Sequence, residues 1–174
     1  GGSYDLFKQE YHAGIYYPLF WRFIGHLRGE AGLETPGIVA FTSGTPNTNV
    51  SPTVPIFERY FLGGINSLRG WRFGEVGPLD SFGLVYGGDK YEVINAELLF
   101  PIMEKYGIRG VLFFDAGNTY SENQAMFSSF REDVGPGIRW NSPFGPIRVE
   151  VGYKLDPNVN EKPFEFQFSA GAFF

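Results

Sequence analysis

Cysteine is absent from all 174 residues, so no disulfide framework and no thiolate metal site can be part of this chain. Histidine is almost absent. His12 and His26 are the only two, both fall on expected wall strands, and neither has a partner at metal-ligand spacing. There is no Gly-x-Ser-x-Gly element and no phosphate-binding loop, which leaves neither a nucleophile with its base nor a cofactor cradle. The chain is therefore expected not to be an enzyme and to need no cofactor or metal. Charged residues make up only 19%, with 14 Lys+Arg against 19 Asp+Glu and a net charge of −5, which argues against a nucleic-acid partner. No apolar run approaches the ~18 residues that a membrane-crossing helix requires. The opening Gly1-Gly2-Ser3-Tyr4-Asp5 has neither the basic stretch nor the apolar core of a secretory leader. The segment is expected to be internal to a longer protein, or to begin in a cloning remnant.

What is abundant is aromatic, 18% of residues, with 24 Gly and 12 Pro to turn the chain. The clearest pattern is in residues 147–156, where Ile147, Val149, Val151, Tyr153 and Leu155 alternate with Arg148, Glu150, Gly152, Lys154 and Asp156. That is a period of two, a strand with one apolar and one polar face. Residues 164–174 repeat it, with Phe164, Phe166, Phe168, Ala170, Ala172 and Phe174 on one face and Glu165, Gln167, Ser169, Gly171 and Phe173 on the other. Residues 131–141 put Val134, Ile138 and Trp140 opposite Asp133 and Arg139. Residues 108–120 put Leu112 and Phe114 opposite Arg109, Val111, Phe113 and Asp115. Residues 91–101 place Ile94, Ala96, Leu98 and Phe100 outward, with Asn95 and Glu97 inward. Residues 4–19 and 21–34 are two further candidates with less regular alternation. Together these make about seven strands and no convincing helix.

The connections alternate in length. Those near residues 18–20, 102–107 and 142–146 are short, whereas those near 36–88, 121–130 and 157–163 are longer. Outer-membrane barrels have short periplasmic turns, long external loops and a polar lumen. A soluble β-sandwich would alternate in the same way with its apolar faces packed inside. Tyr16, Tyr17, Trp21, Trp140, Phe173 and Phe174 gather near strand ends, as interfacial girdles do, and favour the barrel. The expectation is an all-β, antiparallel transmembrane β-barrel, present as a C-terminal portion of about seven strands with the C-terminus on the periplasmic side. Residues 1–174 form a single segment, and the long connection at about 36–88 is rich enough in apolar residues to fold back onto the wall.

That long connection contains Phe61-Leu62-Gly63-Gly64 and then Leu68-Arg69-Gly70-Trp71. By itself this is a Gly-rich loop with one arginine. With Phe113-Phe114-Asp115-Ala116-Gly117-Asn118 and the run from Gly135 to Pro146, however, it makes four ordered blocks. Those blocks resemble the BamA superfamily of polypeptide-transporting barrels, whose loop motif is (Val/Ile/Leu)-Arg-Gly-(Phe/Tyr/Trp). The resemblance runs over nearly the whole chain. It implies that the loop folds into the lumen as a lid and that Arg69 contacts acidic wall residues, at the positions matching Glu97 and Asp115. The alternation independently places Glu97 and Asp115 inward on the two arms of one hairpin. A guanidinium fork can satisfy two carboxylates where an ammonium serves them less well. The same pair could instead be a general acid and base, but no nucleophile accompanies it.

The last strand resembles the terminal signal of outer-membrane proteins, with Phe164, Phe166, Phe168 and Phe174 on its apolar face and Gly171 where relatives kink; the closing strand of any barrel would look similar. The resemblance implies a gate strand, with folding and insertion of nascent outer-membrane proteins into the bacterial outer membrane as the function. It also implies contact with outer-membrane lipid and accessory assembly lipoproteins, and upstream POTRA domains with roughly nine further strands, about sixteen in all. The competing expectations are a two-partner-secretion or TamA-type translocation barrel, or a passive porin. About seven strands alone leave open edges, so self-association through those edges is also expected.

Overall fold

The computed structural model describes residues 6–36, 54–159 and 161–171. The expected positions of Phe173 and Phe174, and residues 37–53 of the long connection, lie outside the described residues. Seven antiparallel strands form one sheet in sequence order: β1 (Leu6–Pro18), β2 (Ile24–Pro36), β3 (Lys90–Met103), β4 (Ile108–Tyr120), β5 (Arg131–Ser142), β6 (Gly145–Lys154) and β7 (Phe164–Ala170). Every neighbour in space is a neighbour in sequence, the meander that a barrel wall requires. Among the described residues β1 and β7 are open edges, so the sheet is not closed. Among the described residues no helix is long and apolar enough to cross a membrane, which says nothing of crossing by strands.

The faces follow the pleat. Phe164, Phe166 and Phe168 are 56%, 57% and 61% exposed on the outward side of β7. The alternate row of each central strand is buried: Tyr91, Val93 and Asn95 on β3, Val111, Phe113 and Asp115 on β4, Glu150 and Lys154 on β6. A wall that is apolar outward and polar inward inverts a soluble domain, and lipid is the solvent that suits it.

Two details depart from the sequence reading. Trp21 is not in a strand. It sits in the three-residue 3-10 turn Phe20–Arg22 with φ 55°, so β2 begins at Ile24. Tyr16 belongs to the inward row, where its ring stacks on His26 at 3.9 Å, rather than to an interfacial belt.

The buried core lies between the wall and the long connection. Tyr60, Leu62, Leu68, Trp71 and Val76 of that connection pack against Tyr91 and Val93 of β3. The connection therefore folds into the concave side of the sheet. Its apolar residues, which a solvated loop would not bury, drive this docking.

Candidate functional site

The inward loop closes on itself before it meets the wall. Gly64 donates its N–H to the carbonyl oxygens of both Leu68 (3.1 Å) and Trp71 (2.7 Å), and Trp71 N donates back to Leu68 O (3.2 Å). Gly63 and Gly64 have φ of 114° and 91°, a left-handed backbone that other residues rarely adopt. The result is a tight knuckle that presents Arg69 to the wall.

Arg69 is 2% exposed. Its Nε and Nη2 donate to the two oxygens of Asp115 at 2.7 and 2.5 Å, the bidentate fork that only a guanidinium can make. Its Nη1 donates to Glu97 at 2.7 Å and to Glu150 at 2.8 Å. The backbone N–H of Arg69 adds a further bond to Asp115 at 3.2 Å. Its guanidinium lies 3.6 Å over the Phe113 ring. Burial works against the charge of Arg69, but its hydrogen bond to Asp115 and the nearby carboxylates outweigh this and raise its pKa.

The structure thus brings together Arg69, Glu97 and Asp115, the three residues that the sequence pointed to. It also adds members that the sequence reading did not include. Glu150 is a third carboxylate, fully buried. Arg139 grips Glu97 with two nitrogens (3.0 and 2.5 Å) and Glu150 with a third (2.8 Å). Arg148 donates to Glu150 at 3.1 Å and holds Ile65 O and Asn66 Oδ1 of the loop. Asn95 donates to Asp115 and Ser67 O, each at 2.7 Å, and His26 Nδ1 lies 3.0 Å from Glu97. Three arginines face these three carboxylates, and each carboxylate is hydrogen-bonded to at least one of them. Glu150 and Arg139 were already on the inward row by alternation. The missing signal was register, because Gly137 opposite Glu150 leaves room for these side chains to converge.

Glycine makes this approach possible. A Cβ on Gly152 would lie 2.3 Å from Gly70 N and 2.4 Å from the carbonyl carbon of Arg69. A Cβ on Gly70 would meet Asp133 Cβ at 2.8 Å. The Arg-Gly backbone therefore lies directly on the wall. Asp133 stands opposite Asp115 in the register, fully buried, with neither oxygen hydrogen-bonded among the described residues.

Trp71 is 1% exposed, with Arg131 and Lys154 near its faces at 4.9 and 5.1 Å. The loop also reaches the edge strand. Gln167 of β7 donates to Arg69 O (3.1 Å) and Trp71 O (2.9 Å), and Arg72 Nε donates to Glu165 at 3.0 Å. Beyond Ala170, Gly171 has φ 117° and donates its N–H to Pro146 O.

The structure is thus a seven-stranded antiparallel sheet with a long loop held on its inward face by a buried arginine. The chain belongs to the Omp85 superfamily, whose domain model matches residues 1–174. Among curated proteins it is 32% identical over its whole length to the outer membrane protein assembly factor BamA of Nitratidesulfovibrio vulgaris, and 28% identical to that of Neisseria meningitidis serogroup B. It spans 21% and 24% of the length of these two relatives. A chloroplastic outer envelope protein 80 of Arabidopsis thaliana is 31% identical over 55% of the chain. The fold matches the crystal structure of BamA from Haemophilus ducreyi lacking POTRA domains 1-3, with a TM-score of 0.73 at 20% identity over 94% of this chain and 34% of that one.

Proposed function

We propose that this chain is the wall-and-lid part of a protein that folds and inserts other β-barrels into the bacterial outer membrane. The observation that carries the reading is the buried Arg69 cluster, which fixes an internal loop across β3, β4 and β6. A passive pore has no need of so costly an ionic lock, since burying several charges is repaid only by near-complete hydrogen bonding. The second part is the edge. β7 is an unpaired edge among the described residues, and free N–H and C=O groups can template an incoming strand. In this reading Leu68, Arg69, Gly70 and Trp71 form the lid motif, Glu97 and Asp115 its wall partners, and Phe164, Phe166, Phe168, Gly171 and Phe174 belong to the gate strand. Nascent outer-membrane proteins are the substrates, accessory lipoproteins and outer-membrane lipid the partners, and the C-terminus faces the periplasm.

The test is depletion of the native protein and rescue by variants of the full-length gene. Arg69→Ala is expected to lower the level of assembled outer-membrane proteins while the variant itself still reaches the membrane. Full assembly by Arg69→Ala, with only ion conductance altered, would overturn the reading in favour of a pore. Loss of export of one dedicated polypeptide, with general assembly intact, would favour a translocation barrel.

A further inference from the structure

A carboxylate stands on the wrong face of the wall. Glu92 of β3 lies between Tyr91 and Val93, both packed inward against the loop, so Glu92 belongs to the outward row. Two residues further along that row, about 7 Å at the usual strand rise, Ile94 is 39% exposed on the outer surface. A carboxylate so close to the apolar band would carry a large desolvation cost in lipid. Yet Glu92 is 1% exposed.

What covers it is the connection 121–130, which folds back down the outside of the wall. Glu92 accepts hydrogen bonds from the Tyr120 hydroxyl and from Phe127 N (3.3 Å). The same Tyr120 oxygen lies 2.5 Å from Ser129 O, and Asn118, directly opposite Glu92, donates to Ser129 Oγ at 3.0 Å. Lys90 Nζ holds the near end through Glu122 O and Gln124 O, both at 2.9 Å. The strap turns its polar atoms to the wall and its rings away. Phe127 is 60% exposed, Phe130 is 38% exposed, and their rings lie 6.3 Å apart. Phe127 has φ 61°, a conformation that an aromatic residue keeps only where its surroundings impose it.

We propose that residues 121–130 form an outer-wall strap that inserts Phe127 and Phe130 into the lipid interface, with Glu92 as its buried latch. The occupant of this aromatic face is the bilayer. The Phe127 backbone is tied to Glu92, next to lipid-facing Ile94, so its ring continues the apolar surface of the wall rather than projecting into water. The proposal rests on the sheet crossing a membrane and not on assembly activity.

The test places nitroxide labels in the full-length protein, in phosphatidylcholine nanodiscs, at F127C, F130C and N123C. Accessibility to oxygen relative to a water-soluble nickel complex reads depth. The ratio is expected to be severalfold higher at 127 and 130 than at 123, because aromatic girdles sit at the membrane interface. Tyr120→Phe, which keeps the ring but removes the bridging hydroxyl, is expected to move the label at 127 toward the value at 123. Equal ratios at all three sites would overturn the proposal. So would shielding by a second copy, seen as dipolar broadening that vanishes on dilution with unlabelled protein. Altered assembly with normal depths would bear on the function alone.

Discussion

β1 and β7 are the two edges of one sheet, yet the molecule holds them differently. β7 is short, pairs with β6 over residues 164–170, and is bound from inside by the loop through Gln167 and Glu165. β1 is nearly twice as long and pairs with β2 over its whole length. It touches the loop through Lys8, whose ammonium lies 4.5 Å from the Tyr60 ring centroid. The contacts of β1 are mostly with its own neighbour, whereas those of β7 are partly with a loop more than 90 residues earlier. An edge held by its ladder can change only by unzipping, whereas an edge held by a loop can change when the loop moves.

The largest expected break in this comparison comes from the centre of the loop. Arg69→Ala leaves Glu97, Asp115 and Glu150 without the cation they share. Removing one partner of a buried pair costs about 3–5 kcal/mol. Loop undocking should then expose residues 61–76 to protease in the full-length protein, and loosen β7 more than β1 in amide exchange. Unchanged proteolysis would sink the idea. Arg69→Lys keeps the charge but loses the fork, and is expected to fall between the two.

Next in size is a test of close approach. Gly152→Ala puts a methyl 2.3 Å from Gly70 N, against backbone that has nowhere to go. Overpacking of this kind costs about 1–3 kcal/mol. The charges stay, so a shift in loop protection without any change in salt dependence would show that shape, and not only charge, docks the motif. Wild-type protection would mean that the loop is not seated on Gly152.

Gln167→Leu separates the edges most directly. It removes two hydrogen bonds to loop carbonyls and leaves the β6–β7 ladder whole. At about 1 kcal/mol for each bond, faster exchange is expected in β7, with β1 unchanged. Equal effects on both edges would dissolve the distinction.

Much of this architecture was legible in the sequence because a strand's period of two depends only on which face meets lipid. Alternation alone placed Glu97, Asp115, Asp133, Arg139, Glu150 and Lys154 inward. Convergence was not legible. Glu150 is 81 residues from Arg69, and only the strand register and the glycines at 137 and 152 bring them together. Glu92 was invisible for a different reason. Its place in the alternation marks it as outward, and its burial comes from a strap that sequence periodicity does not describe. The resemblance supplied Arg69 and its two wall partners, but not Arg139, Arg148 or Gln167, whose roles depend on where the loop backbone lies.

The smallest expected effect concerns the clasp above Trp71. Glu161, in the connection before β7, accepts from Trp71 Nε1 at 3.4 Å and from Arg131 at 2.5 Å, and lies 3.7 Å from Lys154. Burial raises its pKa, but the Asn158 backbone N–H, Arg131 and Lys154 outweigh that and hold it below its ordinary 4.5. A carboxyl whose folded pKa is depressed stabilises the fold fully above its unfolded value, and loses that contribution as pH falls through the folded one. The clasp is therefore indifferent to pH between 7 and 5.5 or so and weakens below the ordinary carboxylate range. Trp71 can report this once the protein's other tryptophans, Trp21 and Trp140 among them, are replaced by Phe. Its emission is expected to red-shift on acidification in that background, and Glu161→Gln should shift it at neutral pH and remove the acid transition. The same acid transition in Glu161→Gln would assign it to another carboxylate and leave β7 held by Gln167 and Glu165 without help from its preceding loop.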